Sequence, residues 1–367
     1  MTDTSITRLL TEKGHPGKTR IELVDLPELQ PGEILLRPDR FSLTTNNITY
    51  ALFGDAMQYW NFFPTGQEGW GHMPVWGFAD VVASDLPGLE VGERFYGYFP
   101  IASHIVMQPE RITERGFYDG IDHRRALVSA YNQYTRCSAD PSYAPEREAL
   151  QSLYRPLFIT SFMLADYLAD NAFFGAQQMI VSSASSKTAY GTVFCLGEGG
   201  IPATALTSAR NVGYVQSLGA YDVVSTYEAM SELDAGQATL YVDFSGNAGL
   251  RESVHRHFGE NLVHDCLIGA TTNTGSRPDG PLPGPKPVFF FAPEQIAKRN
   301  ADWGPGEVSR RYGEAETRFF EHVENAEPAW VGFDEQTGFS AAQAVIADLA
   351  ENGGDPAVGH IVDLDCD

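Results

Sequence analysis

Cysteine is scarce in this 367-residue chain: Cys137, Cys195, Cys266 and Cys366 are the only four, and none sits in a CxxC pair. That scatter argues against a disulfide framework and a thiolate zinc site, and each cysteine reads as a free small hydrophobe. Basic residues are also in short supply. Lys plus Arg total 25 against 48 Asp plus Glu, a formal net charge of −23, so the averaged surface repels phosphate backbones and anionic lipid and argues against nucleic acid as a partner. Missing too is any run of about 18 apolar residues, the length a membrane helix needs. The start, MTDTSITRLL, lacks a basic region followed by an apolar stretch, so a cytoplasmic protein with no membrane association is expected. No internal repeat is present.

What remains is an ordinary globular composition, 43% hydrophobic and 20% charged, over a length that suggests two domains. Residues 20 to 110 read as short strands between turns: RIELVDL, the Pro31-Gly32 turn, EILLRPDRFSL, GFADVVAS and the segment around RFYGY. Arg111 to Arg155 is polar, with weak helical patterning through DHRRALVSAYNQY and APEREALQSLY, and is expected to be a helical insertion. From Pro156 the pattern alternates. The helix LFITSFMLADYLADN leads to the strand QMIVSSAS, the helix KTAYGTVFCLG and the strand IPATALTS. A helix ending on Gly219, the strand YDVVST, and the runs ATLYVDFSG and LVHDCLIGATT around the helix NAGLRESVHRHF follow. Strands alternating with helices imply a parallel, doubly wound sheet. RPDGPLPGPKP, residues 277–287, reads as an exposed loop, and the chain closes with the helix SAAQAVIADLAENGG and the strand HIVDL.

Such a sheet binds dinucleotides at the carboxyl ends of its strands, with the pyrophosphate at the N-terminus of the first helix. The first turn here, Val181 to Ala189, contains no glycine and so fails the GxGxxG pattern. Its residues Ser185, Ser186, Lys187 and Thr188 offer hydroxyls and a cation that can bind phosphate oxygens instead. The plain alternative is a small-residue helix N-cap with nothing bound. At the end of the second strand stand Thr207, Ser208, Ala209 and Arg210. No carboxylate is there for the ribose hydroxyls of NAD, so Ser208 and Arg210 favour NADP; the alternative for Arg210 is a solvated charge at a helix start.

The collinear order of these segments resembles the medium-chain dehydrogenase/reductase superfamily, in particular its zinc-independent quinone oxidoreductase and enoyl reductase branch. PGEILLRPDRFSLTTNNITYALFG is similar to the N-terminal GroES-like strand pair, and GFADVVAS…LPGLEVGERFYGYFP to the stretch GxVxxV…xVGDRVxG. PLFITSF, TSARNVGYVQSLGAYDVVS and LYVDFSGNAGLRESVHRHFGENLVHDCLIGAT resemble the family's later signatures. The SSASSKTA turn, with YNQYTR and FFFAPEQIAKR, resembles an uncharacterised branch known as a domain of unknown function. The resemblance implies an α/β fold in which a GroES-like β domain, residues 1–156 and 296–367, flanks a Rossmann-type domain, residues 157–295. It also adds Ser245 and Gly269 to the cofactor-binding set. Where the resemblance places the zinc-dependent relatives' Cys-x-x-Asp, this chain has Asn46 and Thr49, and the GHE site is at best Gly71-His72-Met73, so no catalytic zinc trio is expected.

Zinc-free members of the superfamily deliver hydride from NADPH to an activated double bond while a polar group or water supplies a proton. The segment Thr45 to Tyr50 matches the stretch that faces the nicotinamide, and Asn46 and Tyr50 are the expected catalytic residues. An Asx-type turn and a packing role are their structural alternatives. Tyr131, Asn132, Gln133 and Tyr134 line a substrate pocket, form an oligomer contact, or serve a structural or surface role. The aromatic run Tyr59, Trp60, Phe62, Phe63, Trp70 and Trp76 reads either as core or as a wall for a flat, apolar small-molecule substrate. The expected activity is NADPH-dependent reduction of an enone, quinone or other activated carbonyl compound. A homodimer is implied, through an edge strand in LPGPKPVFFFA. The alternative is a dehydrogenase-like fold that has lost the reaction and serves as a nucleotide sensor or interaction scaffold.

Overall fold

The computed structural model describes residues 5–268 and 282–364. The chain divides into two compact units, Met1–Tyr154 with Val331–Asp367, and Arg155–Trp330.

In the second unit, six parallel strands form one sheet: β1 (Gln178–Ser182), β2 (Ala203–Thr207), β3 (Val223–Thr226), β4 (Thr239–Asp243), β5 (Leu262–Leu267) and β6 (Val288–Phe289). Their order is β3-β2-β1-β4-β5-β6, paired parallel throughout. Met179, Ile180 and Val181 are all buried, which is why β1 reads as an unbroken apolar run: a parallel strand is covered on both faces. The connecting helices include α1 (Lys187–Leu196), α2 (Val212–Ser217) and α3 (Ala248–Phe258). The chain winds outward from β1 to β3 and then returns to β4 on the other side of β1, so the carboxyl ends of β1 and β4 flank the topological switch point.

Two further helices belong to this unit, Ala292–Trp303 and Pro305–Asn325. Ala292, Ile296, Trp303 and Val308 pack on the same core as Met179, Val181, Leu240 and Val242. Arg155 and Glu316 add a two-pronged ion pair, at 2.9 and 2.6 Å. Burial of Phe319 and Phe320, both fully enclosed, contributes about 1.5–3 kcal/mol each. The sequence places the return to the β domain at about residue 296, but these contacts keep the chain in the parallel-sheet unit as far as Trp330.

The first unit is built mainly from antiparallel sheet. Ile34–Leu43 lies between Pro74–Ala83 and the C-terminal strand Val358–Asp363. Beyond Pro74–Ala83 come Arg94–Pro100, Gln133–Arg136, Gly116–Asp119 and Pro109–Thr113. A second sheet pairs Ser5–Glu12 with His15–Asp25 and Trp70–Gly71. Arg94 joins the strands to the start of the helix Glu148–Asp170, donating to Asp39 at 2.8 and 3.0 Å, Asp80 at 2.8 Å and Glu148 at 2.5 and 2.9 Å.

The expected helical insertion over residues 111–155 is corrected by this structure. DHRRALVSAYNQY forms the 3-10 turns Asp122–Arg124 and Ser129–Asn132, followed by a strand, and the α-helix begins only at Glu148. The reason is tertiary. Arg124, 1% exposed, spends its guanidinium on Asp119, Asn132, the Tyr131 carbonyl and the Tyr134 phenol, at 2.7 to 3.0 Å, a geometry that a continuous helix would dismantle. Gly97 allows the neighbouring strand to lie flat on Tyr134, since a Cβ there would sit 2.3 Å from the ring.

Candidate functional site

At the switch point the chain leaves β1 through Ser182, whose hydroxyl donates to Asp243 Oδ1 at 2.7 Å across the β1–β4 pair. Ser183 then takes a left-handed backbone, φ +50°, at a cost of about 1–2 kcal/mol for a residue with a Cβ. Bracing offsets that cost: Ser183 N–H donates to the Tyr227 phenol at 3.2 Å, and the Tyr221 phenol donates to the Ala184 carbonyl at 2.9 Å. Ser186 caps α1, accepting from the Ala189 N–H at 3.3 Å. Ser185 is buried and accepts from Asn211 Nδ2 at 3.2 Å. Lys187 and Thr188 occupy the first turn of α1, half-buried, at the positive end of the helix dipole.

Ser208 follows β2, and Arg210 is exposed and forms no ion pair with any described residue. The turn therefore presents a capped helix start, the Lys187 cation and a solvent-facing guanidinium on the β1–β2 side of the switch point. These features fit an anionic dinucleotide, although the hydroxyls of Ser185 and Ser186 already accept internal bonds. Ser245 is turned inward, donating to Asp243 Oδ1 at 2.7 Å. Gly269 lies outside the described residues.

Beneath this turn lies a cluster that sequence reasoning missed. Asp243, Asp265 and His255 are fully buried. Arg251 pairs with Asp243 Oδ2 and reaches Asp265 Oδ2 at 3.1 Å. His255 Nε2 is 2.8 Å from Asp265 Oδ2, and Nδ1 is 2.7 Å from the Pro283 carbonyl. Both ring nitrogens thus face acceptors, an arrangement that only the doubly protonated imidazolium satisfies. Burial alone would lower the His255 pKa, but the bonds to Asp265 and Pro283 raise it above its usual 6.5. A histidine whose folded pKa is raised contributes stability that is fully present below the unfolded value and lost as pH climbs through the folded one. Denaturation midpoints measured from about pH 6 to about pH 9 should therefore fall more steeply for the wild type than for Asp265→Asn; parallel profiles would contradict the assignment.

In the first unit, Asn46 and Tyr50 sit on the helix Thr45–Leu52. Thr44 and Asn47 close a capping box, with Thr44 N–H donating to Asn47 Oδ1 at 2.8 Å, while Asn47 Nδ2 donates to the Pro74 carbonyl at 3.0 Å. Asn47 is thus the structural asparagine, and Asn46 remains half-buried one residue earlier. The Tyr50 phenol accepts from Trp76 Nε1 at 3.3 Å. Burial, with the Tyr59 phenol nearby, pushes its pKa up, while hydrogen bonds from the Trp76 and Asn46 side chains pull the other way. The phenol therefore keeps its proton across the neutral range, as a proton donor must.

Tyr50 belongs to an aromatic cluster. Tyr59 lies 4.7 Å and Tyr98 5.8 Å from its ring, and Trp76 and Tyr131 pack 5.1 and 4.7 Å from Tyr98. The aromatic run seen in sequence divides here. Tyr59, Phe62, Phe63 and Trp76 join Tyr50, Trp60 enters the strand core, and Trp70 carries the Arg20 guanidinium 4.1 Å above its ring. Of the segment Tyr131–Tyr134, Tyr131 reaches this cluster. Asn132 and Tyr134 coordinate Arg124, and Gln133 is exposed. The Tyr98 hydroxyl is buried within the cluster without a partner among the described residues. Among those residues, no group of three or more His, Cys, Asp or Glu is placed to hold a metal ion, and no helix is long and apolar enough to cross a membrane.

Residues 41–355 match the family described as "Protein of unknown function (DUF2855)". No curated protein matches the sequence. Among solved structures, the chain is similar to CurA from Vibrio vulnificus in complex with NADPH, at 14% identity and TM-score 0.60 over 98% of this chain and 100% of that one. It is also similar to a putative NADPH:quinone reductase from Bacillus thuringiensis, at 12% identity and TM-score 0.57, covering 99% and 100%. The yhdH oxidoreductase from Salmonella enterica in complex with NADP matches at 15% and 0.53, covering 98% and 99%. These likenesses establish the two-domain fold of medium-chain dehydrogenases/reductases, with a parallel-sheet unit and a separate antiparallel one.

Proposed function

The chain belongs to the DUF2855 family, and we infer that it is an NADPH-dependent, zinc-independent oxidoreductase that reduces an activated double bond, a quinone or a related carbonyl compound. The observation that carries this reading is Arg210, a cation exposed and unpaired among the described residues, at the end of β2 where an NAD-selective protein places a carboxylate. Solved structures that share the fold, an NADPH complex and a putative NADPH:quinone reductase among them, support it.

Ser185, Ser186, Lys187 and Thr188 would hold the pyrophosphate side of the dinucleotide and Ser208 and Arg210 its ribose phosphate, with Ser245 and Gly269 completing the proposed cofactor-binding set. Bound there, NADPH supplies hydride. Tyr50 holds a proton on its phenol, and with Asn46 it would donate hydrogen bonds to a substrate carbonyl whose oxygen gains negative charge during reduction. Trp76 and Tyr59 orient that phenol, and the surrounding rings favour a flat, apolar substrate. A homodimer through the β6 edge is part of the reading, since Val288 and Phe289 there are 43% and 54% exposed.

Arg210→Ala is expected to weaken NADPH binding by about 1.5–3 kcal/mol, the scale of a charge-assisted hydrogen bond, and to leave NADH binding nearly unchanged. Isothermal titration with both nucleotides checks this. Equal losses would remove the assignment, and no binding by the wild type would favour the inactive scaffold that the glycine-free turn also suits.

A further inference from the structure

We propose that Arg251 is a positioning residue for the dinucleotide: it is the half-buried cation, its side chain 12% exposed, that fixes Asp243 and, through it, the turn from Phe244 to Asn247 at the end of β4. The proposal rests on the NADPH reading above, since this turn forms one wall of the switch point.

The turn is organised around one carboxylate. Asp243 Oδ1 accepts from the Ser182 hydroxyl, the Ser245 hydroxyl and the N–H groups of Ser245 and Gly246, at 2.7, 2.7, 2.9 and 3.0 Å. Ser182 Oγ accepts in turn from the Phe244 and Ser245 N–H groups, at 3.1 and 3.2 Å. With Oδ1 so occupied, the rotation of the carboxylate is set by whatever holds Oδ2, and that is Arg251. The turn then passes directly into α3, whose N-cap is Asn247, accepting from the Leu250 N–H at 2.9 Å. A displaced Asp243 would therefore shift both the turn and the helix start.

Arg251 is itself held from behind. Asp265, on the middle of β5, pairs with it at 3.1 Å and is in turn held by His255, one helical turn beyond Arg251 on α3. The charges of the cluster balance, the buried Asp243 and Asp265 against the half-buried Arg251 and the imidazolium of the buried His255. Charge of this kind between a sheet and its covering helix is costly to bury, and an apolar set of similar volume would stabilise the fold as well or better. Its position under the Ser182–Ser245 turn is what gives it a use. Arg251 bridges two carboxylates, so neutralising Asp265 should leave the guanidinium committed to Asp243.

The test uses the full chain, NADPH as probe, and titration calorimetry beside thermal denaturation. Asp265→Asn should bind NADPH within about threefold of wild type, whereas Arg251→Gln/Asp265→Asn, which removes one charge of each sign, should bind about tenfold or more weakly at a similar melting temperature. Arg251→Lys/Asp265→Asn should recover most of the loss, because a single ammonium can serve one carboxylate. Should the glutamine variant fail to fold, Arg251→Lys alone decides the matter: it should bind more weakly than wild type and regain affinity when Asp265→Asn is added. Equal affinity across the folded variants overturns the proposal and leaves the NADPH reading standing. A flat wild-type titration overturns both.

Discussion

Arg124→Met is expected to destabilise the protein by about 3–5 kcal/mol, because it removes one partner of a buried ion pair and leaves the other charged. Arg124 and Asp119 have side chains 1% and 2% exposed and meet at 2.8 Å. The same guanidinium holds the Tyr131 carbonyl at 2.7 Å and lies 4.8 Å over the Phe63 ring. Methionine keeps much of the apolar stem but satisfies neither acceptor. Chemical denaturation of wild type, Arg124→Met and Arg124→Met/Asp119→Asn measures the effect. The double variant should regain a substantial part of the loss, since it no longer buries an unpaired carboxylate. A single-variant loss below about 1 kcal/mol, the range of exposed pairs, would show that the pair is not sealed from water.

The second large effect is on turnover. Tyr50→Phe should lower the rate on a quinone or enone by about a hundredfold or more, within the range that a positioned proton donor contributes, while NADPH affinity stays unchanged. Phenylalanine preserves the ring packing on Tyr59 and Tyr98 at 4.7 and 5.8 Å and loses only the hydroxyl that accepts from Trp76. Steady-state kinetics with the nucleotide saturating separates the two readings of this residue. A packing tyrosine would leave the rate within a few-fold of wild type.

The parallel-sheet unit was legible because its strands are covered on both faces: QMIVS, ATALT and TLYVD are short apolar runs closed by small polar residues. The helix Pro305–Asn325 was harder to see. Its buried residues Val308, Ala315, Phe319, Phe320 and Val323 follow helical spacing, but charged residues dilute the signal, and spacing does not say which sheet a helix will cover. The segment around Arg124 misled for a related reason. Its spacing is weakly helical, and a buried guanidinium with four partners overrides so small a preference.

In the site, the serine-rich turn and Arg210 were readable from their positions after two strands. The buried cluster was not read, although it left two signals: Asp265 interrupts the apolar run LVHDCLI, and Arg251 and His255 are spaced four apart on one helix. A charge inside a strand destined for burial needs a partner. Tyr98 gave no comparable signal, since a tyrosine in a β-strand is common and its place beside Tyr50 arises only from pairing Pro74–Ala83 with Arg94–Pro100.

Whether the glycine-free turn holds NADPH is decided by calorimetric titration of the wild-type chain with NADPH and with NADH. Saturable one-to-one binding of NADPH is expected, tighter than NADH by about tenfold or more, the equivalent of about 1.4 kcal/mol from the Arg210 contact. No heat with either nucleotide, or equal affinity for both, would contradict it.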